Sequence, residues 1–101
     1  KADFLPSSDV IIEEVSKFYN IDAEAIRGQG RTKDTALARQ IAMYQIRRMT
    51  NLSLKEIGRE FDNRDHTTVM HACNKIEEER KNSRETEDVI KKLHNNIRGD
   101  G

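Results

Sequence analysis

The chain is poor in the residues that would lead away from a helical domain. It holds one proline, five glycines and no tryptophan, and only 5% of its residues are aromatic. So few aromatics argue against a large sandwich core, and so few breakers leave room for long uninterrupted helices. The single cysteine, Cys73, excludes an internal disulfide and fits a reducing, cytoplasmic compartment. No apolar run approaches the roughly 20 residues of a membrane-spanning helix. The start, Lys1-Ala2-Asp3-Phe4-Leu5-Pro6, has no secretory pattern, and because it lacks an initial Met the chain reads as a piece of something longer. An excess of one charge is lacking too, since the formal net charge is zero.

What the total hides, the distribution shows. Asp3, Asp9, Glu13, Glu14, Asp22 and Glu24 make the first quarter acidic, whereas Arg27, Arg31, Lys33, Arg39, Arg47 and Arg48 face only Asp34 in residues 27–52. One basic segment is what a phosphate-binding surface requires. Charged content of 36% beside 35% hydrophobic content suits a small, charge-coated helical bundle, and the length suits one domain.

The apolar spacing is helical throughout, which predicts an all-α fold of about six helices. Ser8 is placed to cap a first helix with Val10, Ile11, Val15 and Phe18 inward, ending at Asn20. Asp22 caps a short helix, Ala23 to Arg27. Gly28-Gln29-Gly30 then breaks the chain and offers a flexible basic loop through Arg31, Thr32 and Lys33. A long helix from Thr32 to about Thr50 carries a broad apolar arc, Leu37, Ala38, Ile41, Ala42, Gln45, Ile46 and Met49. Arg39, Gln40, Met43 and Arg47 form its remaining, cationic stripe. Ser83 caps a last helix with Val89, Ile90, Leu93 and Ile97 on one side.

Between these lies the densest signal. Ser53 with Glu56 is a capping-box pair, opening a short helix with Leu54, Ile57 and Phe61 inward. Gly58 allows a neighbour to approach closely. Asp62-Asn63-Arg64 makes a turn, and a second helix runs from Asp65 to about Lys81 with Val69, Ala72, Cys73 and Ile76 toward the core. That is a helix-turn-helix, whose second helix begins with Asp65, His66, Thr67 and Thr68. Each has base-reading chemistry: a carboxylate accepts from a cytosine amino group, an imidazole donates to an acceptor, and a threonine methyl packs on thymine. Asp65 doubles as an N-cap. Thr67, His71 and Asn74 point away from the core.

The run Ile57-Gly58, Phe61, Arg64-Asp65-His66-Thr67-Thr68-Val69 and His71-Ala72 resembles the signature of the bacterial replication initiator DnaA family, in its carboxy-terminal DNA-binding domain (domain IV). The likeness extends upstream through Arg39-Gln40-Ile41-Ala42-Met43 and the basic loop, and covers roughly residues 10–98. It implies a Trp-repressor-like helix-turn-helix that binds short double-stranded elements, the DnaA boxes, at the replication origin. It also implies that Asp65, His66, Thr67 and Thr68 read bases in the major groove and that Arg31 enters the adjacent minor groove. By the same resemblance Arg39, Gln40, Arg47, Leu54, Lys55, His71 and Ala72 hold the phosphate backbone. Two departures occur: Lys55 stands where some members have Pro, and Leu37-Ala38 replaces a more basic pair.

The organisation that follows is a linker remnant over 1–8, a DNA-binding domain over 9–98 and a tail over 99–101. The family's ATPase module would bind ATP in the full-length protein. Gly28-Gln29-Gly30 is too short for a phosphate loop and lacks the Lys-Ser/Thr that follows one, so no cofactor and no enzymatic activity are expected of this chain. His66, His71, Cys73 and Asp65 do not converge as metal ligands, so no metal is expected either. The expected state is a monomeric, cytoplasmic, nucleoid-associated fragment, with regulatory proteins as further partners. The alternatives are another helix-turn-helix regulator or a helical protein-interaction module, the latter suggested by the evenly mixed charges of residues 75–92.

Overall fold

The structure is a computed structural model that describes residues 5–28 and 30–99. Gln29, the first part of the expected linker and the end of the expected tail lie outside the described residues. Among the described residues six helices follow one another: α1 (Ser8–Tyr19), α2 (Ala23–Arg27), α3 (Lys33–Met49), α4 (Leu54–Glu60), α5 (His66–Asn82) and α6 (Arg84–Arg98). No strand occurs among the described residues.

Local chemistry explains most of the boundaries. Thr32 caps α3 through its hydroxyl, which accepts from the Thr35 N–H at 3.1 Å. Asp22 accepts from the Glu24 N–H at the start of α2. At Asn20 the chain turns left-handed, with φ 55°, and its N–H closes the end of α1 onto the Lys17 and Ser16 carbonyls. Ser83 ends α5 and caps α6, its hydroxyl accepting from the Thr86 N–H.

The start of α1 departs from the pattern. Ser7, not Ser8, is the cap, and its hydroxyl accepts from the Val10 N–H. The inward face is Ile11, Ile12 and Val15, while Val10 is 42% exposed. Adjacent serines cap equally well in isolation; packing against α3 and α6 selects the register that buries two isoleucines.

Helix α3 is the axis of the fold. Ile41, Ala42, Met43, Tyr44, Gln45 and Ile46 are all buried along it, between α1 on one side and α5 on the other. The buried Gln45 is satisfied: its amide donates to the Ile90 carbonyl at 3.0 Å and its oxygen accepts from Arg48. Beyond the core, Arg80 joins three helices. It donates to both Glu87 oxygens on α6 and to the Tyr44 hydroxyl on α3, which itself donates to Glu77. With Lys91 against Glu87 and Lys75 against Glu79, much of the mixed charge in residues 75–92 is spent within the domain.

Candidate nucleic-acid interface

Helix α4 opens with a complete capping box. The Glu56 N–H donates to the Ser53 hydroxyl, and the Ser53 N–H donates back to the Glu56 carboxylate at 2.8 Å. The helix stops after Glu60 because Asp62 and Asn63 both adopt left-handed backbone, φ 60° and 55°, a conformation that Asn and Asp tolerate best among side-chain-bearing residues. The turn then folds back: Phe61 and Arg64 both donate their N–H to the Gly58 carbonyl at 3.0 Å. Phe61 is fully buried beneath the turn, which fixes where α5 can begin.

Asp65 begins it. One carboxylate oxygen accepts from the Thr67 N–H at 2.9 Å, and this bond holds the Asp65 carboxyl below its usual range. The other oxygen lies 3.8 Å from His66 Nδ1, with both side chains more than 60% exposed. Thr68 and His71 are exposed as well, while Thr67 is half-buried. Anchored from beneath by Val69, Ala72, Cys73 and Ile76, the first turn of α5 therefore presents its polar groups on a rigid base.

Two clefts flank this helix. In one, Gln40 and Arg39 of α3 face Thr68, His71, Ala72 and Lys75 of α5. In the other, Lys55 and Arg59 of α4 meet Asn63, Asp65 and His66. The fold thus brings Arg39, Gln40, Thr68, His71 and Ala72 together, and separately Lys55, Asp65 and His66. Arg47 is exposed on the α3 edge, near enough to Cys73 for its charge to oppose the rise that burial imposes on that thiol. The side chain of Leu54 packs on the core, so what it offers outward is its backbone N–H at the first position of α4.

The cationic stripe of α3 requires correction. Met43 is buried, and Arg39 is only 9% exposed. The Arg39 guanidinium donates to the Ile26 carbonyl at 2.7 Å and to the Ala25 and Gly30 carbonyls at 2.9 Å. Burial, and then the charge of Arg64, lower its pKa. A helical-wheel stripe looks solvent-facing when its neighbours are unknown; here α2 and Gly30 cover its Arg39 position, while Arg47 stays exposed.

The glycine-bracketed loop is corrected in the same way. Gly30 is not there to confer freedom. A Cβ on it would lie 2.5 Å from Thr35 Cγ2 and 2.9 Å from the Ala25 carbonyl oxygen, so close packing demands glycine. Its N–H donates to Ala25 and its carbonyl accepts from Arg39. Arg31 follows directly and is exposed, immediately before the cap of α3.

Three cations outside the sequence-derived set sit in the same surface: Arg59, in the second cleft, Lys75 and Arg64. Lys75 donates to the Gln40 side-chain oxygen at 3.1 Å; its place one helical turn beyond His71 was a usable signal. Arg64 reaches out of the turn to the Arg27 and Gly28 carbonyls, and nothing in local spacing reveals those targets.

Residues 8–76, from the first helix to the middle of α5, match the bacterial DnaA protein helix-turn-helix family. The chain belongs to that family. The Streptococcus thermophilus chromosomal replication initiator protein DnaA is 51% identical to it over 76 residues, which are 75% of this chain and 16% of that protein. Orthologous DnaA proteins from two other strains of the species give the same figures. A crystal structure of a DNA replication initiation factor superposes with a TM-score of 0.78 at 39% identity, covering 89% of this chain and 28% of that one. The chain therefore spans about a sixth of the length of the curated DnaA relatives it matches. No helix among the described residues is long and apolar enough to cross a membrane.

Proposed function

We propose that this chain binds double-stranded DNA in the initiation of chromosome replication, reading a DnaA box through both grooves. The observation that carries the proposal is the exposed polar tip of α5, set on a buried apolar base in a DnaA-family helix-turn-helix. Asp65, His66, Thr67 and Thr68 are the base readers of the major groove. Asp65 keeps one oxygen for a base amino group while the other caps the helix. Arg31 enters the adjacent minor groove, where A·T pairs narrow the walls and deepen the negative potential.

Backbone phosphates are held on both sides of α5. Gln40, His71 and Ala72 line one cleft, with Arg39 as its floor. Lys55 and the Leu54 N–H serve the other side, and Arg47 the far edge of α3. The DNA-binding unit is residues 9–98 together with the Ser7 cap and Ser8, which open α1, with the residues ahead of them as linker and 99–101 as tail. It acts as a monomeric module without cofactor or catalysis of its own, in the cytoplasm on the nucleoid, and regulatory proteins address it there. ATP belongs to another part of the initiator.

Fluorescence anisotropy with a box duplex and a scrambled duplex of equal length tests the reading. The box should bind at least 10³-fold more tightly at physiological salt, and log K should fall with log salt at about 0.9 per phosphate contacted. Equal affinity for the two duplexes would overturn it.

A further inference from the structure

The last carbonyls of α2 have no partner within their own helix, as at any helix end. Two guanidinium groups share them. Arg39, from α3, takes Ala25 and Ile26 and then Gly30 beyond the helix. Arg64, from the helix-turn-helix turn, takes the next two: Nη1 donates to Arg27 at 3.3 Å and Nη2 to Gly28 at 2.8 Å. Arg64 Nη1 also donates to the Phe61 carbonyl of its own turn at 3.0 Å. One side chain therefore spans the turn that starts α5 and the loop that leads to Arg31.

The main chain of Arg64 is itself immobilised. Its N–H is bonded to Gly58, and the following residue is the cap of α5. The side chain is half-buried. A planar guanidinium donates in several fixed directions at once, which a lysine ammonium on its flexible stem does not reproduce. The carbonyl dipoles it meets are the partially negative end of α2, which is why a second cation is tolerated beside Arg39.

We propose that Arg64 is a positioning residue: it locks the loop bearing Arg31 to the tip of α5, so that the minor-groove and major-groove readers are set relative to one another before DNA arrives. The inference rests on the DNA-binding reading above. Its physical content is preorganisation, since a loop already ordered in the free protein costs less to order on the duplex.

The test uses the whole chain with Arg64→Met and Arg64→Lys, and Arg31→Ala as reference. Each protein is titrated onto box and scrambled duplexes whose flanking pairs are either A·T or G·C. The parent prefers A·T flanks, and Arg31→Ala abolishes that preference. Arg64→Met should reduce it by roughly five- to tenfold, the size expected of coupled neighbours, while the preference for box over scrambled core survives. In the doubly substituted protein Arg64→Met should add nothing to the flank effect of Arg31→Ala.

Hydrogen exchange on free protein carrying Arg64→Lys gives an independent readout. The Gly28 and Gly30 amides, bonded to Glu24 and Ala25 in the parent, should exchange faster while those of α1 and α6 do not change. An intact flank preference with equal weakening on every duplex and a shallower salt slope would make Arg64 a phosphate contact and overturn the proposal. Unchanged loop exchange would overturn it too, as would general unfolding of both variants, which would show support of the whole fold instead. If the parent distinguishes none of the duplexes, the DNA-binding reading fails, and the exchange result still decides whether Arg64 holds the loop.

Discussion

Gly58 and Arg64 are in backbone contact across the helix-turn-helix turn. The Gly58 carbonyl accepts the Arg64 N–H at 3.0 Å, and a Cβ on Gly58 would overlap the Arg64 carbonyl oxygen and lie 3.2 Å from its carbon. Neither obstacle is a flexible side-chain end. The glycine lets α4 and the start of α5 close to a distance that no side chain permits.

Gly58→Ala should therefore push the turn outward and destabilise the fold. Overpacking in a well-filled site costs about 1–3 kcal/mol, occasionally more, which outweighs the ~1 kcal/mol that alanine gains over glycine within a helix. A urea titration of the two proteins measures the difference. A midpoint that is unchanged or higher would show that the turn yields without strain.

Substitution at the tip of α5 should separate specificity from general affinity. His66→Ala and Thr67→Ala should each cost roughly 1–3 kcal/mol on a box duplex and far less on a scrambled one. Because both residues lie outside the core, melting temperatures should stay close to that of the parent. Equal losses on the two duplexes would assign these side chains to phosphate.

Arg39 and Arg47 share a helix and a formal charge, yet their substitutions should behave differently. Arg47→Ala, at an exposed edge, should weaken every duplex about equally and flatten the salt slope by about one unit, with stability within ~0.5 kcal/mol of the parent. Arg39→Ala strands the Ile26 and Gly30 carbonyls and leaves Ala25 with the Gly30 N–H alone, and should lower stability by about 1–3 kcal/mol even without DNA. Thermal melts and salt titrations of both variants decide, and matching profiles for the two would refute the distinction.

Cys73 is buried against α3, and burial pushes its thiol from 9.0 to about 11. A raised pKa means that the folded state holds this proton more tightly than the unfolded chain does. The corresponding stability, about 2–3 kcal/mol, is fully present below pH 9 and is lost as pH rises toward 11. Cys73→Ala should remove this dependence, so parent and variant stabilities should converge or cross over that interval alone. At neutral pH the thiol should resist alkylation until the protein is unfolded, because the thiolate is the reactive form. Rapid labelling of the native protein, followed by mass, would contradict the buried position.

The sequence by itself determined the features governed by bonds a few residues apart. The capping box of Ser53 and Glu56, the Asp65 and Ser83 caps, the Asn20 stop and the inward faces of α5 and α6 follow from i, i+3 and i+4 relations that any helix imposes. So does the placement of Asp65, His66, Thr67 and Thr68 at a helix start, together with the motif that marks the DnaA family. Tertiary structure decided whatever depends on which surface comes to lie against which. It chose Ser7 over Ser8 because the buried pair Ile11 and Ile12 sets the α1 register. It closed α2 and its loop over Arg39, turning one position of an apparent cationic edge into a bond to three carbonyls. It packed Gly30 against Thr35 and Ala25, so that a glycine that looks like a source of freedom is held. Arg64 shows the limit most plainly: its carbonyl partners lie 36 and 37 residues away, and backbone carbonyls, being common to every residue, leave no mark in a sequence.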